Sequence, residues 1–211
     1  MRFPRVSALD SPLERWNERF AAEDYYFGKE PNRFLAAHAH LLKAGQSALA
    51  VADGEGRNGV WLAERGLEVL SLDFSPKALA KARRLAAERK VRLALQEADL
   101  ARWPWPEARF EVAVAIFIQF AGPELRSIIF AGLKKCLRPG GLLLLHGYRP
   151  KQLEYKTGGP PLVENLYTEA MLRASFADME ILELRAYDEA IHEGRGHVGM
   201  SALIDLVARK L

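Results

Sequence analysis

The stretch "VADGEGRNGVWLAERG", residues 51–66, constrains the fold more than any other part of this chain. Gly54-Glu55-Gly56-Arg57-Asn58-Gly59 spells G-x-G-x-x-G, and an acidic residue, Asp73, follows at the distance at which a carboxylate meets a ribose in nucleotide-binding βαβ units. The motif requires a strand before it and a helix after it. "SALAVA" reads as a short buried strand, "RNGVWLAERG" as a helix closed by Gly66, and "LEVLSLD" as a second strand.

The same alternation continues. Ser75 and Pro76 open a helix that runs to about Arg89, followed by a third strand in "VRLALQEAD". "FEVAVAIFIQF" is apolar almost throughout, as expected of a strand with both faces covered by helices. The helix "GPELRSIIFAGLKKCL" is stopped by "RPGG", and "LLLLHGY" forms the fifth strand. After a helix near "YTEAMLRASF", the segments "MEILELRAYDEAI" and "VGMSALIDLVARKL" are strand-like and joined by the Gly-rich link "HEGRGH". The expected fold is α/β: a Rossmann-like, doubly wound seven-stranded sheet, mostly parallel, with a C-terminal antiparallel β-hairpin. Two helices, "SPLERWNERFAAED" and "PNRFLAAHAHLLKAG", precede the sheet. Residues 1–45 are therefore expected to be an N-terminal helical segment acting as a flap, and residues 46–211 the sheet core of a single domain.

With 211 residues in all, a second substrate domain of ordinary size does not fit. "MRFPRVSALDSPLERW" has no continuous apolar h-region, and the best apolar run is less than half a membrane span, so a cytoplasmic protein without membrane contact is expected. The lone Cys136 is expected to be a buried thiol. The densest basic segment puts Lys77, Lys81 and Arg84 on one outward helix face without interleaved aromatics. That pattern reads as a solvated face, and a nucleic-acid partner is not expected.

In open α/β sheets ligands bind beyond the carboxyl ends of the strands. Candidate cofactor contacts there are Ala52, Asp53, Gly54, Gly56, Asp73, Phe74, Asp99, Leu100, Ile116 and Phe117. Neither the glycines nor a ribose-binding Asp73 separates NAD from S-adenosylmethionine, since both carry adenosine. With Asp99 after the third strand, where an adenine amino group can be read, the terminal hairpin, and "LRPGGLLLL" before the fifth strand, the chain resembles the class I S-adenosylmethionine-dependent methyltransferases. "WNERFAAEDYYFGKEPNRFL" is similar to the N-terminal segment of their tellurite-resistance and thiopurine-type small-molecule branches. That resemblance implies S-adenosyl-L-methionine as cofactor, Trp16 and Phe27 closing over it, a small-molecule acceptor, and a monomer or homodimer. The chain departs from the family's first motif, because Ala50 and Ala52 stand where an acidic residue and a glycine are usual. Asp53 is then left either to organise the methionine ammonium or to face solvent.

On the acceptor side the candidates are His146 and Tyr148 after the fifth strand, either packed or facing a pocket, with Gln119 after the fourth. Residues 155–167, rich in Gly and Pro, are expected to form a lid with Glu164 and Tyr167 at the pocket border. His192 and His197 are one residue too far apart for H-E-x-x-H and sit in a turn, so no metal site is expected. Trp103 and Trp105 read as packing of a Pro-rich turn, or else as a wall near adenine. A nicotinamide-dependent reductase is the enzymatic alternative, and a non-catalytic cofactor-sensing or nucleic-acid-binding module on the same fold is the other.

Overall fold

The computed structural model describes residues 12–211. Its elements in chain order are α1 (Pro12–Arg19), α2 (Arg33–Ala37), β1 (Ser47–Val51), α3 (Arg57–Glu64), β2 (Glu68–Asp73), α4 (Pro76–Glu88), β3 (Ala94–Glu97) and β4 (Phe110–Ile116). There follow α5 (Pro123–Cys136), β5 (Leu137–Tyr148), α6 (Gln152–Tyr155), α7 (Glu169–Ser175), β6 (Met179–Glu193) and β7 (His197–Lys210). The seven strands form one sheet in the order β3-β2-β1-β4-β5-β7-β6. The first five are parallel, and β7 enters antiparallel between β5 and β6. The order in which strands are added therefore reverses between β1 and β4, and the strand ends on either side of that switch open onto a common crevice.

Period-two alternation along the central strands sorts the core into two layers. Val112, Val114 and Ile116 of β4 pack with Phe34 and Leu35 of α2 and Leu62 of α3. Ala113 and Ala115 face the other way, toward Ile129, Leu133 and Cys136 of α5 and Leu172 of α7. Cys136 is fully buried, and burial pushes its thiol up to about 12, which keeps it protonated and unreactive.

Three local expectations change. The helix expected over "PNRFLAAHAHLLKAG" ends at Ala37 and resumes as one 3₁₀ turn, Ala39–Leu41. His38 is the reason: its Nδ1 lies 2.8 Å from the Phe34 carbonyl while its Nε2 reaches Glu183 at 3.1 Å. The third strand is only four residues long, and β5 begins at Leu137, inside "LRPGG". Lys81 is not on a solvated face. It is buried, paired with Glu55 and donating to the Asp24 carbonyl, which fastens α4 to the N-terminal segment.

Candidate functional site

The turn after β1 takes an unusual path. Ala52 has φ +47°, Gly54 +60° and Gly56 +86°, so three of five residues are left-handed, and Ala52 and Gly54 border the crevice. Asp73, at the end of β2, holds this turn: one carboxylate oxygen accepts the Gly54 N–H at 2.9 Å and the other the Ser75 N–H at 2.9 Å. Asp53 lies deeper. Its Oδ2 accepts the Gly59 N–H at 3.0 Å and the Ser71 hydroxyl at 2.9 Å, joining the first turn of α3 to β2. Asp53 thus does not face solvent. Burial raises Asp53 to about 7 and Asp73 to about 6, against the lowering effect of these hydrogen bonds.

Above the strand ends lies a cavity of about 500 Å³. Its floor is Ala52, Asp53, Gly54, Asp73 and Phe74, and Ile116 and Phe117 form one wall. Trp16, Phe20 and Phe27 close it from the N-terminal segment, with the Trp16 and Phe20 rings stacked 5.5 Å apart and both within 6.3 Å of Phe27. This segment is pinned by backbone bonds. The Phe27 N–H donates to Glu55 at 3.2 Å, and the Arg195 N–H in the β6–β7 turn donates to the Tyr26 carbonyl at 2.7 Å.

Not every expected residue faces that space. Gly56 lies outside the lining because it lets α3 approach α4: a Cβ there would stand 2.6 Å from that of Ala82. Leu100 is a core residue, and the Asp99 carboxylate is exposed, capping the Ala101 N–H at 3.0 Å. His146 is packed rather than pocket-facing, with Nδ1 2.6 Å from Asp205 and its ring stacked on Phe34. Tyr148 does line the cavity, as does Gln119, whose amide bonds both the N–H and the carbonyl of Tyr148.

The 155–167 segment contributes Gly158–Leu162 and Asn165 to the lining, but neither of the two border residues expected. Glu164 points outward, and Tyr167 is fully buried against Phe130. Trp103 and Trp105 also lie away from the cavity, covering α5, where Trp105 fills the space left by Gly132.

His197 is the residue that the sequence reading missed. His192 is exposed, whereas His197, across the hairpin turn, is buried and lines the cavity. Its ring is sandwiched between Phe27 at 4.7 Å and Phe117 at 4.1 Å, and its Nδ1 is 2.6 Å from the Tyr148 hydroxyl. Burial, with the Arg57 charge alongside, pushes it down to about 3, so the imidazole is neutral. The available signal was its place just past the turn, paired with Glu193 in the hairpin register.

Residues 48–141 match the family described as Methyltransferase domain. A demethylmenaquinone methyltransferase from Thermus thermophilus is 36% identical over 120 residues, covering 56% of this chain and 54% of that protein. An uncharacterised methyltransferase from Synechocystis is 32% identical over 145 residues, covering 68% and 63%. The chain thus spans between about half and two thirds of those relatives' length. Among solved structures, N-methyltransferase NodS from Bradyrhizobium japonicum in complex with S-adenosyl-L-homocysteine superposes with a TM-score of 0.73 at 14% identity, covering 95% of this chain and 99% of that one. TehB from Haemophilus influenzae gives 0.70 at 17%, covering 94% and 67%. These structural likenesses concern the fold. The sequence match is thus to a methyltransferase domain over residues 48–141, and what the solved structures share with the chain is its architecture.

Proposed function

We propose that this protein is an S-adenosylmethionine-dependent methyltransferase acting on a small-molecule acceptor, within the cytoplasm. The observation that carries the reading is the cavity itself: about 500 Å³ over the left-handed turn at Ala52–Gly54, with the Asp73 carboxylate at its floor and an aromatic cover. The residues fit an adenosine cofactor. The Asp73 carboxylate accepts backbone bonds from Gly54 and Ser75, with the Phe74 N–H also alongside, and has lone-pair capacity left for a ribose hydroxyl. Phe74, Ile116 and Phe117 offer apolar surface to the nucleoside, whereas Asp99 and Leu100, both outside the cavity lining, could take the adenine contact only if the site extends beyond that lining. Trp16 and Phe27 would cover the bound molecule and exclude water. Bound S-adenosylmethionine supplies an activated methyl group, so the protein's part is to place an acceptor in line with it.

Calorimetry with S-adenosylhomocysteine and NADH tests this reading. Binding of S-adenosylhomocysteine, no response to NADH, and a loss of about 1–3 kcal/mol in Asp73→Asn are expected. NADH binding without a response to S-adenosylhomocysteine would replace the reading with the nicotinamide-dependent one.

A further inference from the structure

The imidazole of His197 is clamped between two rings. Phe27 lies against it at 4.7 Å and Phe117 at 4.1 Å, both stacked, so the edge of the imidazole is what remains for polar contact. Two backbone features maintain the clamp. Phe117 holds a left-handed φ of +54°, which is unfavourable for a residue with a side chain, and a Cβ on Gly196 would stand 2.4 Å from the Phe27 ring.

One nitrogen on that edge is already engaged. The Tyr148 hydroxyl lies 2.6 Å from Nδ1 and keeps its proton because burial pushes the phenol up, while the Ser201 hydroxyl alongside donates to the Gly199 carbonyl at 3.1 Å. Tyr148 therefore donates to Nδ1, which leaves Nδ1 as the bare nitrogen. His197 is neutral, so its single proton sits on Nε2. Among the described residues Nε2 has no hydrogen-bond partner, and it is not one of the sealed side-chain atoms without one, which are Asn165 Oδ1 and the Tyr167 hydroxyl. The space that His197 lines is the cavity.

We propose that Tyr148 fixes the tautomer of His197, and that the His197 Nε2–H is a preset donor which holds a lone pair of the methyl acceptor and so aims its nucleophilic atom. This rests on the methyl-transfer reading above. His197 sits with Phe117 and Tyr148 over the ends of β4 and β5, whereas the carboxylate offered to ribose closes β2, so the donor belongs to the acceptor's half of the cavity. Its part is orientation and not proton removal, because Nε2 has no lone pair and the one on Nδ1 is taken. His197 touches the acceptor; Tyr148 is a positioning residue acting through it. A molecule presenting only N–H or O–H donors at that point would meet another donor and be disfavoured.

The test is nitrogen-15 NMR of the full chain with labelled histidine, saturated with S-adenosylhomocysteine. His197 should show a protonated Nε2 and a bare, hydrogen-bonded Nδ1. Two probes of nearly the same shape are then titrated, acetophenone and α-methylstyrene, of which only the ketone carries an oxygen lone pair. Acetophenone should shift the Nε2–H signal and bind about fivefold or more tighter than the alkene, the size of one hydrogen bond. His197→Phe keeps a flat ring without the donor and should erase that preference. In Tyr148→Phe the Nδ1 signal should lose its hydrogen-bonded position and the preference should fall by about threefold or more. A proton on Nδ1 in the wild-type chain overturns the proposal and leaves the methyl-transfer reading standing. Absence of an Nε2–H shift with acetophenone, equal or tighter binding of the alkene, or a preference retained in His197→Phe also overturns it, and a preference retained in Tyr148→Phe removes Tyr148 from the positioning role. Should His197→Phe lose S-adenosylhomocysteine affinity by more than about fivefold, the donor belongs to the cofactor and the proposal fails. A wild-type chain that does not bind S-adenosylhomocysteine at all overturns the methyl-transfer reading, whatever the tautomer.

Discussion

At Asp53 two effects oppose each other: burial favours the neutral acid, while the Gly59 N–H and the Ser71 hydroxyl favour the carboxylate. Burial prevails, and the folded group titrates near 7 rather than at the ordinary 3.8. Between those values the native state holds a proton that the unfolded chain has lost, so stability falls as pH rises through this window. The contribution is fully present below about pH 4 and lost above about pH 7. Asparagine keeps an oxygen that can accept both bonds but has no charge to bury. Asp53→Asn should therefore raise stability by about 1–3 kcal/mol in mildly alkaline buffer and by little near pH 4, as read from urea melts at both pH values. A stability gain that is the same at both would show that the charge is not the cause. Asp53 and Asp73 were visible in the sequence as strand-end carboxylates. Their burial was not, because it depends on how α3 closes over the turn, and so the choice between ammonium and solvent for Asp53 omitted its bonds to Gly59 and Ser71.

Elements were legible where one period persisted. β4 and β5 read as strands from apolar runs, α4 from its Ser75 cap and Pro76, and the β6–β7 hairpin from its glycines. Legibility failed where a tertiary partner intervened, as at His38, whose bonds to Phe34 and Glu183 end α2. Lys81 was misread for the same reason, since helical spacing does not reveal a carboxylate 26 residues away that comes to pair with it. Helix α5 shows how such contacts reverse a local rule. Propensity alone says that Gly132→Ala should stabilise a helix by about 1 kcal/mol. Here a Cβ would lie 2.1 Å from the Trp105 indole, which packs into the notch, so the ring must move or the helix must shift. Overpacking of this kind costs about 1–3 kcal/mol, and the net effect should be a lower melting temperature with altered Trp fluorescence. Unchanged fluorescence together with a higher melting temperature would show that the notch is not filled as described.

Across the whole molecule, a cover built from the chain's beginning is held by its end. Arg57 at the start of α3 pairs with Glu193 of β6 at 2.7 Å, both nearly fully buried. The Glu193 carboxylate also accepts from the Asn32 amide and the Arg33 N–H, while Arg57 donates to the Phe27 carbonyl at 3.3 Å. Burial alone would raise Glu193, yet Arg57 and these donors together hold it below the ordinary carboxylate range. One cluster thus joins the motif helix, the N-terminal segment and the terminal hairpin, and it also sets His197 between Phe27 and Phe117. Such coupling is invisible along the sequence, because its members are up to 161 residues apart. Glu193→Gln preserves shape but leaves the Arg57 charge buried without its partner, which should cost about 3–5 kcal/mol. The nearby Arg195–Asp24 pair is exposed, and Arg195→Ala should cost less than about 1 kcal/mol. If the cluster positions the cover, amide exchange over residues 24–34 should rise and S-adenosylhomocysteine affinity should fall in Glu193→Gln, with both near the parent values in Arg195→Ala. A Glu193→Gln protein that is less stable yet keeps its exchange protection in that segment and its affinity would limit the ion pair to anchoring α3 against the hairpin.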